Sequence, residues 1–450
     1  MKGHAIREEM NGVAEAPGKT WFWELAAGVI DAGRCVQCGT CVAVCPSDSI
    51  GVHPESGLPE LVKMCTGCSL CWDFCPRGGL RYEATWELPP SPVPLPIPRS
   101  PRPRAVASGP APRADPFPEG PLGRVLATCS ARARVRGARA QDGGVVSALL
   151  RGLLADGAID GAVVAVPDRD ARFPGRGVAA LASTGLELDA AAGSFYNQTM
   201  ALAGLDLRQA GLPAGAKVAL VGTPCEIQGL RALQARPWPG GSGAHRVEAV
   251  VLTVALLCTK SFDYRVLMRD LLEERRGVEL SRVAKVDVTA GRLRVTASDG
   301  AVVVDEPVRA FHEAALRGCE ECADFAGRCA DLAVGSVGSR PGWSSVVVRT
   351  PAGARAFAAA RALLEVRELE EPTALERLDA ADRRGAERSL SRPLDPGGSL
   401  FIPYANHAGA TPGGAAAPGG AAAPGGATAL DGAAGAGGAD GERVPVERAG

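Results

Sequence analysis

Eight of the chain's 14 cysteines fall in two matched runs: Cys35, Cys38, Cys41, Cys45 followed by Pro46, and Cys65, Cys68, Cys71, Cys75 followed by Pro76. Each run has C-x2-C-x2-C-x3-C-P spacing. A [4Fe-4S] cube needs four thiolates, and a tight loop with a cysteine at every third residue delivers three of them; the fourth comes from the other run. The expected ligand sets are therefore Cys35, Cys38, Cys41 and Cys75 for one cluster, and Cys65, Cys68, Cys71 and Cys45 for the second. Two clusters in one small module mean electron transfer. Zinc sites usually present two C-x2-C pairs across a longer spacer, and nothing marks the chain as a secreted protein held by disulfides.

Four more cysteines occupy positions that the surrounding elements must bring together. Lys217 to Val221 (KVALV) reads as a strand, followed by a GTPC turn and a helix through about Leu233. Cys225 stands at that helix start, where backbone N–H groups and the helix dipole would favour a thiolate. Cys258 ends the next expected strand, within Val247 to Leu257. Ligands of an open parallel sheet bind beyond the carboxyl ends of its strands, so both thiols are expected at one crevice. Cys319 and Cys322 form a C-x2-C pair in the loop GCEECADF. Together the four would allow a third [4Fe-4S] site. On the residues alone other readings stay open: Cys225 as a lone nucleophile, the C-x2-C pair as redox-active or half of a zinc site, or packing. Cys129 and Cys329 are expected to be core or incidental thiols.

The rest of the chain divides by composition. Residues 86–121 contain LPPSPVPLPIPRSPRPR and PAPRADPFPEGP, which neither helix nor sheet can propagate through, so they read as a semi-rigid linker. From about Ala405 the chain turns into Ala/Gly/Pro repeats with few large side chains, expected as a disordered tail over 405–450. Between these lies an α/β domain over 122–404, in which strand-length apolar runs alternate with amphipathic segments and imply a mostly parallel sheet. Asp142 to Leu154 reads as a helix opened by two glycines, Gly161 to Val166 as a buried strand, Asp331 to Val337 and Ser345 to Arg349 as later strands, and Gly353 to about Leu364 as a helix. The two-cluster module, a small α+β unit, is expected over 28–85.

With 49 basic and 50 acidic residues the net charge is -1, which gives no polycationic face for nucleic acid or an anionic membrane. The arginines between Arg132 and Arg139 lack interleaved aromatics and read as a solvated or anion-facing loop. No stretch of about 18 apolar residues suggests a membrane span, and the amino terminus has no signal-peptide core. A cytoplasmic protein is expected.

The tandem run resembles bacterial-type two-cluster ferredoxins over about Asp31 to Tyr82. The segments QDGGVVSALL (Gln141 to Leu150), GTPC (Gly222 to Cys225), LLCTKSF (Leu256 to Phe262) and GCEECADFAGRCADLAVGSVG (Gly318 to Gly338), with GW and VVVRT following, resemble the beta subunits of coenzyme F420-reducing hydrogenases and dehydrogenases over roughly Leu122 to Thr350. That resemblance implies a flavin, FAD or FMN, a [4Fe-4S] cluster on Cys225, Cys258, Cys319 and Cys322, and hydride exchange with coenzyme F420. It carries the flavin contacts onto Gly143 and Gly144, onto Ser194, Tyr196 and Asn197, and onto Thr223; where many members have a lysine, this chain has Phe195. No G-x-G-x-x-G fingerprint stands in a strand-to-helix setting, which argues against NAD. The expected function is hydride exchange between F420 and a bound flavin, with single electrons leaving through the clusters to a redox partner protein. The alternatives are a flavin and iron–sulfur reductase of another organic substrate fed by ferredoxin, or an electron-transfer subunit without catalysis of its own.

Overall fold

The structure is a computed structural model, and it describes residues 21–79, 120–137, 140–203, 212–213, 215–235 and 247–390. Most of the expected Pro-rich linker and all of the expected tail lie outside the described residues.

The amino-terminal module opens with helix α1 (Phe22–Leu25), which runs on into a wider helical turn over Ala26–Ile30. Two short helices follow the cysteine loops, α2 (Thr40–Val44) and α3 (Leu70–Asp73). Between them an antiparallel hairpin pairs β1 (Ile50–Val52) with β2 (Pro59–Leu61). A module this small can bury little of its own surface. It therefore draws in residues before the expected boundary at 28: Phe22 and Leu25 join Val29, Leu70, Trp72 and Phe74 in its core.

The larger part is an eight-stranded sheet built from β3 (Ala127–Ala133), β4 (Gly161–Pro167), β5 (Gly177–Ala182), β6 (Val218–Gly222), β7 (Val250–Leu256), β11 (Leu332–Gly335), β12 (Ser344–Val348) and β13 (Leu364–Arg367). The spatial order is β13-β3-β12-β11-β7-β6-β4-β5. The parallel arrangement holds at the centre, where β4, β6, β7 and β11 run side by side. The remaining pairs, β4–β5, β11–β12, β12–β3 and β3–β13, are antiparallel. The sheet is thus mixed, with a parallel core. Near-continuous apolar runs such as VALV in β6 suit that centre, because both faces of a parallel strand are covered. Helices α4 (Val145–Ala155), α5 (Gly185–Ala190), α6 (Pro224–Ala235), α7 (Pro351–Ala359) and α8 (Pro372–Leu390) complete the domain. Helix α7 starts where the Thr350 hydroxyl accepts from Gly353 N–H at 3.0 Å, with a proline at the first helical position, a start signal that the sequence carries openly.

A second sheet was not expected. Strands β8 (Val283–Thr289), β9 (Arg292–Ala297) and β10 (Val302–Pro307) form an antiparallel meander. It packs on a helical segment over Arg265–Glu274, around Leu271, Leu272, Leu293 and Phe311. Its strands are half-exposed and mix charged with apolar residues, so no long apolar run announces them.

The amino-terminal module packs against the α/β core. One continuous apolar cluster contains Leu25, Trp72 and Phe74 together with Ile227, Leu230 and Phe325. Helix α2 lies so close to α6 that a Cβ at Gly229 would stand 1.9 Å from Thr40 Oγ1. A buried ion pair joins Arg34 to Glu321 at 2.7 Å.

Candidate redox site

The two cysteine loops repeat each other in backbone as well as in sequence. Gln37 (φ 51°) and Gly39 (φ 77°) occupy the left-handed region in the first loop, and Gly67 (φ 66°) and Ser69 (φ 68°) do so at the matching positions of the second. Two of the four are not glycine, a cost of roughly 1–2 kcal/mol each that the loop accepts in order to wrap its thiols around one space. The N–H two residues on donates to the first sulfur of each loop, Gln37 to Cys35 and Gly67 to Cys65, both at 3.4 Å. Ser49 N–H likewise donates to Cys45 Sγ at 3.2 Å.

The thiols fall into groups that cross between the runs. Cys35 faces Cys38 and Cys75, and Cys41 faces Cys38, Cys35 and Cys75. Cys71 faces Cys68, Cys65 and Cys45. Cys35, Cys38, Cys41 and Cys75 line one cavity, closed by Leu25, Val29 and Arg77. Burial and then mutual repulsion push the Cys41 and Cys71 thiols well above their ordinary range, and burial pushes Cys75 up to about 12. All 14 cysteines are free of disulfides. Buried, unpaired thiols that repel one another as anions form a donor set that a cationic iron–sulfide core would stabilise.

A third group forms at the carboxyl ends of the parallel strands. Cys225 opens α6 after β6, Cys258 follows β7, Cys319 lies within a short helical turn over Arg317–Glu321, and Cys322 ends that turn. Cys258 faces Cys319 and Cys322, and Cys225 faces Cys322 and, across the module boundary, Cys38. The helix start is not what dominates the Cys225 thiol. Burial dominates and raises its pKa well above the ordinary value, and the Cys38 and Glu226 charges add to the effect. A lone activated nucleophile does not fit that environment.

Polar side chains that sequence reasoning passed over surround this group. Gln198 Nε2 lies 3.6 Å from Cys225 Sγ and 2.9 Å from Ser261 Oγ, which in turn is 3.9 Å from Cys258 Sγ. Glu226 is buried and accepts from the N–H groups of Thr223 and Ala201, both at 2.8 Å. Gln198 and Glu226 each sit within three residues of an expected site residue, and that adjacency was the available signal. Among the described residues no group of three or more His, Cys, Asp or Glu side chains is arranged to hold a single metal ion.

Beyond Cys258 polar side chains from the segment before α4 meet β8. Tyr196 is half-buried there, with Asp287, Asp142 and Cys258 among the charges acting on it. Its hydroxyl accepts from Val288 N–H at 2.6 Å. Lys285 pairs with Asp287 at 3.1 Å, and Asp287 also accepts from the side-chain amide of Gln141. Burial raises the Asp142 carboxyl against the pull of Lys285. The amide oxygen Gln141 Oε1 is buried without a hydrogen-bond partner, an acceptor left for a donor outside the protein.

The expected flavin residues take several separate positions. Gly144 (φ 67°) is the left-handed residue before α4, and a Cβ on Gly143 would stand 2.5 Å from the Ala131 carbonyl oxygen. Both glycines thus have a backbone reason of their own. Asn197 clasps the backbone of Gly177, accepting and donating at 2.8 Å. Ser194 and Phe195 are half-buried, the ring of Phe195 lying against Gly177. Thr223 sits at the third thiol group, its hydroxyl 3.2 Å from Cys225 Sγ. His312 is exposed, Cys329 is buried and Cys129 half-buried on β3.

The fold and thiol groups define an iron–sulfur oxidoreductase component in class. The family model for the C terminus of the coenzyme F420 hydrogenase/dehydrogenase beta chain matches residues 215–372, the model for the N-terminal part of the same beta chain matches 128–206, and a 4Fe-4S dicluster domain matches 28–81. The chain belongs to the coenzyme F420 hydrogenase/dehydrogenase beta-subunit family. It is 31% identical to an uncharacterised protein of Methanocaldococcus jannaschii, over 75% of this chain and 89% of that one. It is 34% identical to the beta subunit of the coenzyme F420 hydrogenase of Methanothermobacter thermautotrophicus, over 48% of this chain and 73% of that one. Among solved structures it resembles a chain of the F420-reducing [NiFe] hydrogenase complex of Methanosarcina barkeri, with a TM-score of 0.56 and 28% identity, over 64% of this chain and 99% of that one. Among the described residues no helix is long and apolar enough to cross a membrane.

Proposed function

We propose that this protein is an iron–sulfur flavoprotein that exchanges hydride between coenzyme F420 and a bound flavin and passes electrons singly through three [4Fe-4S] clusters to a partner protein. A flavin supplies the conversion between two-electron hydride chemistry and the one-electron chemistry of iron–sulfur clusters. The observation that carries this reading is the order of the sites. Phe262, four residues beyond Cys258 of the third thiol group, donates its N–H to the Tyr196 carbonyl at 2.8 Å, and Cys225 of that group packs with Cys38 of the first.

The chain's own residues have three tasks in this scheme. The cysteine loops and their amide donors hold the clusters and offset their negative charge. Gln198, Thr223 and Ser261 fix the thiols of Cys225 and Cys258. Gln141, Asp142, Lys285 and Asp287 line the organic-cofactor side, where the unpartnered Gln141 Oε1 can accept from a ring or ribityl donor. The partner is a soluble electron carrier or a larger redox complex, and the cytoplasm is its proposed compartment. The test is anaerobic mixing of the purified, cluster-loaded protein with reduced F420, following the deazaflavin absorbance with and without a one-electron dye, alongside iron, sulfide and flavin analysis. Oxidation that requires bound flavin is expected. Intact clusters and bound flavin with no oxidation of F420 would sink the substrate assignment in favour of another organic substrate; clusters without flavin would leave an electron relay.

A further inference from the structure

Arg77 follows the second cysteine run directly and is buried between two thiol groups. It lines the cavity formed by Cys35, Cys38, Cys41 and Cys75. From the opposite side its guanidinium faces Cys322, Glu321, Cys225 and Cys319. Its Nε donates to the Gly318 carbonyl at 2.7 Å and its Nη1 to the Pro76 carbonyl at 3.1 Å, and its guanidinium also hydrogen-bonds the Cys322 thiol. Glu321 is the carboxylate among those neighbours, and both its oxygens accept from Arg34, at 2.7 and 2.9 Å. A buried cation needs an anion. Here the negative groups acting on it are Glu321 and, once clusters are bound, cysteine sulfurs from two different groups.

We propose that Arg77 is an electrostatic bridge between the first and third clusters, a positioning residue whose charge raises the reduction potential of both and keeps the electron compensated as it crosses. The inference rests on the cluster assignments proposed above. Each reduction adds one negative charge, which a nearby buried cation stabilises most where the dielectric is low. In the crossing, the third cluster loses one electron and the first gains it, with no proton or bond involved. The electron would stay beside the same positive charge on both sides, so Arg77 leaves the driving force between the two clusters unchanged and favours entry of the electron into the pair. The second cluster, on Cys65, Cys68, Cys71 and Cys45, draws on none of the cysteines that line the cavity with Arg77, and serves as an internal reference.

The test compares the neutral variants Arg77→Met and Arg77→Gln with Arg77→Lys by EPR-monitored redox titration of the loaded protein. In the neutral variants the midpoints of the first and third clusters move to more negative potential, the second stays in place, and electron arrival at the first cluster slows at least several-fold. Arg77→Lys keeps both midpoints close to those of the unsubstituted protein. Unchanged midpoints in a fully loaded neutral variant, or an equal shift of all three clusters, overturn the proposal. If the neutral variants do not load, loading of Arg77→Lys alone shows that the charge is what the site requires, whereas failure of all three variants assigns Arg77 to packing and overturns it. An unsubstituted protein without cluster iron would defeat the assignments themselves, a distinct result.

Discussion

The two tandem cysteine loops and the scattered third thiol group do the same kind of work by different means. Each tandem loop bends through two left-handed residues, donates an N–H to its own first sulfur and carries its third cysteine into a short helix. Everything but its fourth thiol is local. The third group takes Cys225 and Cys258 from loops after the parallel neighbours β6 and β7, and the Cys319–Cys322 pair from a loop joined to the second of these by hydrogen bonds from Leu316 N–H to Ser261 and from Cys258 N–H to Phe325. Loop geometry is robust to distant change, whereas a site assembled by a sheet depends on the packing that aligns it. The comparison thus predicts which substitutions stay confined to one site.

The largest effect is expected from Cys225→Ala. Iron content should fall by about a third, one cluster of three, while the EPR signals of the tandem clusters persist and F420-linked reduction of them is lost. Loss of all iron would show that the tandem loops depend on the third group. Next comes Gly318→Ala, because a Cβ there would stand 2.0 Å from the Arg34 carbonyl oxygen, a backbone atom with no freedom to move away. Overpacking of this kind costs roughly 1–3 kcal/mol, and it should appear in calorimetry as a lower melting temperature with slower transfer between the third and first clusters.

A smaller change of opposite sign is expected from Ser69→Gly. It relieves a φ of 68° and gives back part of that relief as chain entropy, for a net gain of up to about 1 kcal/mol. Denaturant unfolding that shows a loss instead would mean that the serine side chain is needed in the loop. The smallest effect lies in the β8–β10 sheet, outside both thiol regions. Hydrogen bonds from Arg292 and Arg294 hold the Asp305 carboxyl below its ordinary value, and those from Arg276 do so for Glu306. A depressed carboxylate contributes stability that is present above the unfolded pKa, near 4, and is lost as pH falls through the lower folded value. Hydrogen exchange of β9 and β10 should therefore rise below about pH 4, and less steeply in Glu306→Gln.

Much of the fold was legible where burial is one-sided or complete. The strands β4, β6, β7, β11 and β12 and the helices α4, α6 and α7 lie close to their expected places, since apolar runs and start signals such as Thr350–Pro351 act locally. The β8–β10 meander escaped notice because its charged residues pair across strands, Arg292 and Arg294 with Asp305, rather than alternating cleanly with apolar ones. The antiparallel outer strands escaped it too, because direction is set by strand partners and not by composition. At the site, the cysteines could be singled out by type and spacing. Gln198, Glu226 and Arg77 could not, since their importance lies in which thiol they meet.

The sequence by itself determined the tandem loops, for which residue spacing is geometry: cysteines three apart with left-handed residues between them leave the chain few other paths. It also determined the apolar strands of the sheet centre and the family the chain belongs to. Only the tertiary structure decided that the amino-terminal module packs on α6, that Cys38 adjoins Cys225, and that one arginine lies between two thiol groups. Those contacts join residues far apart in the chain, and their closure entropy is offset only when the whole apolar interface forms together.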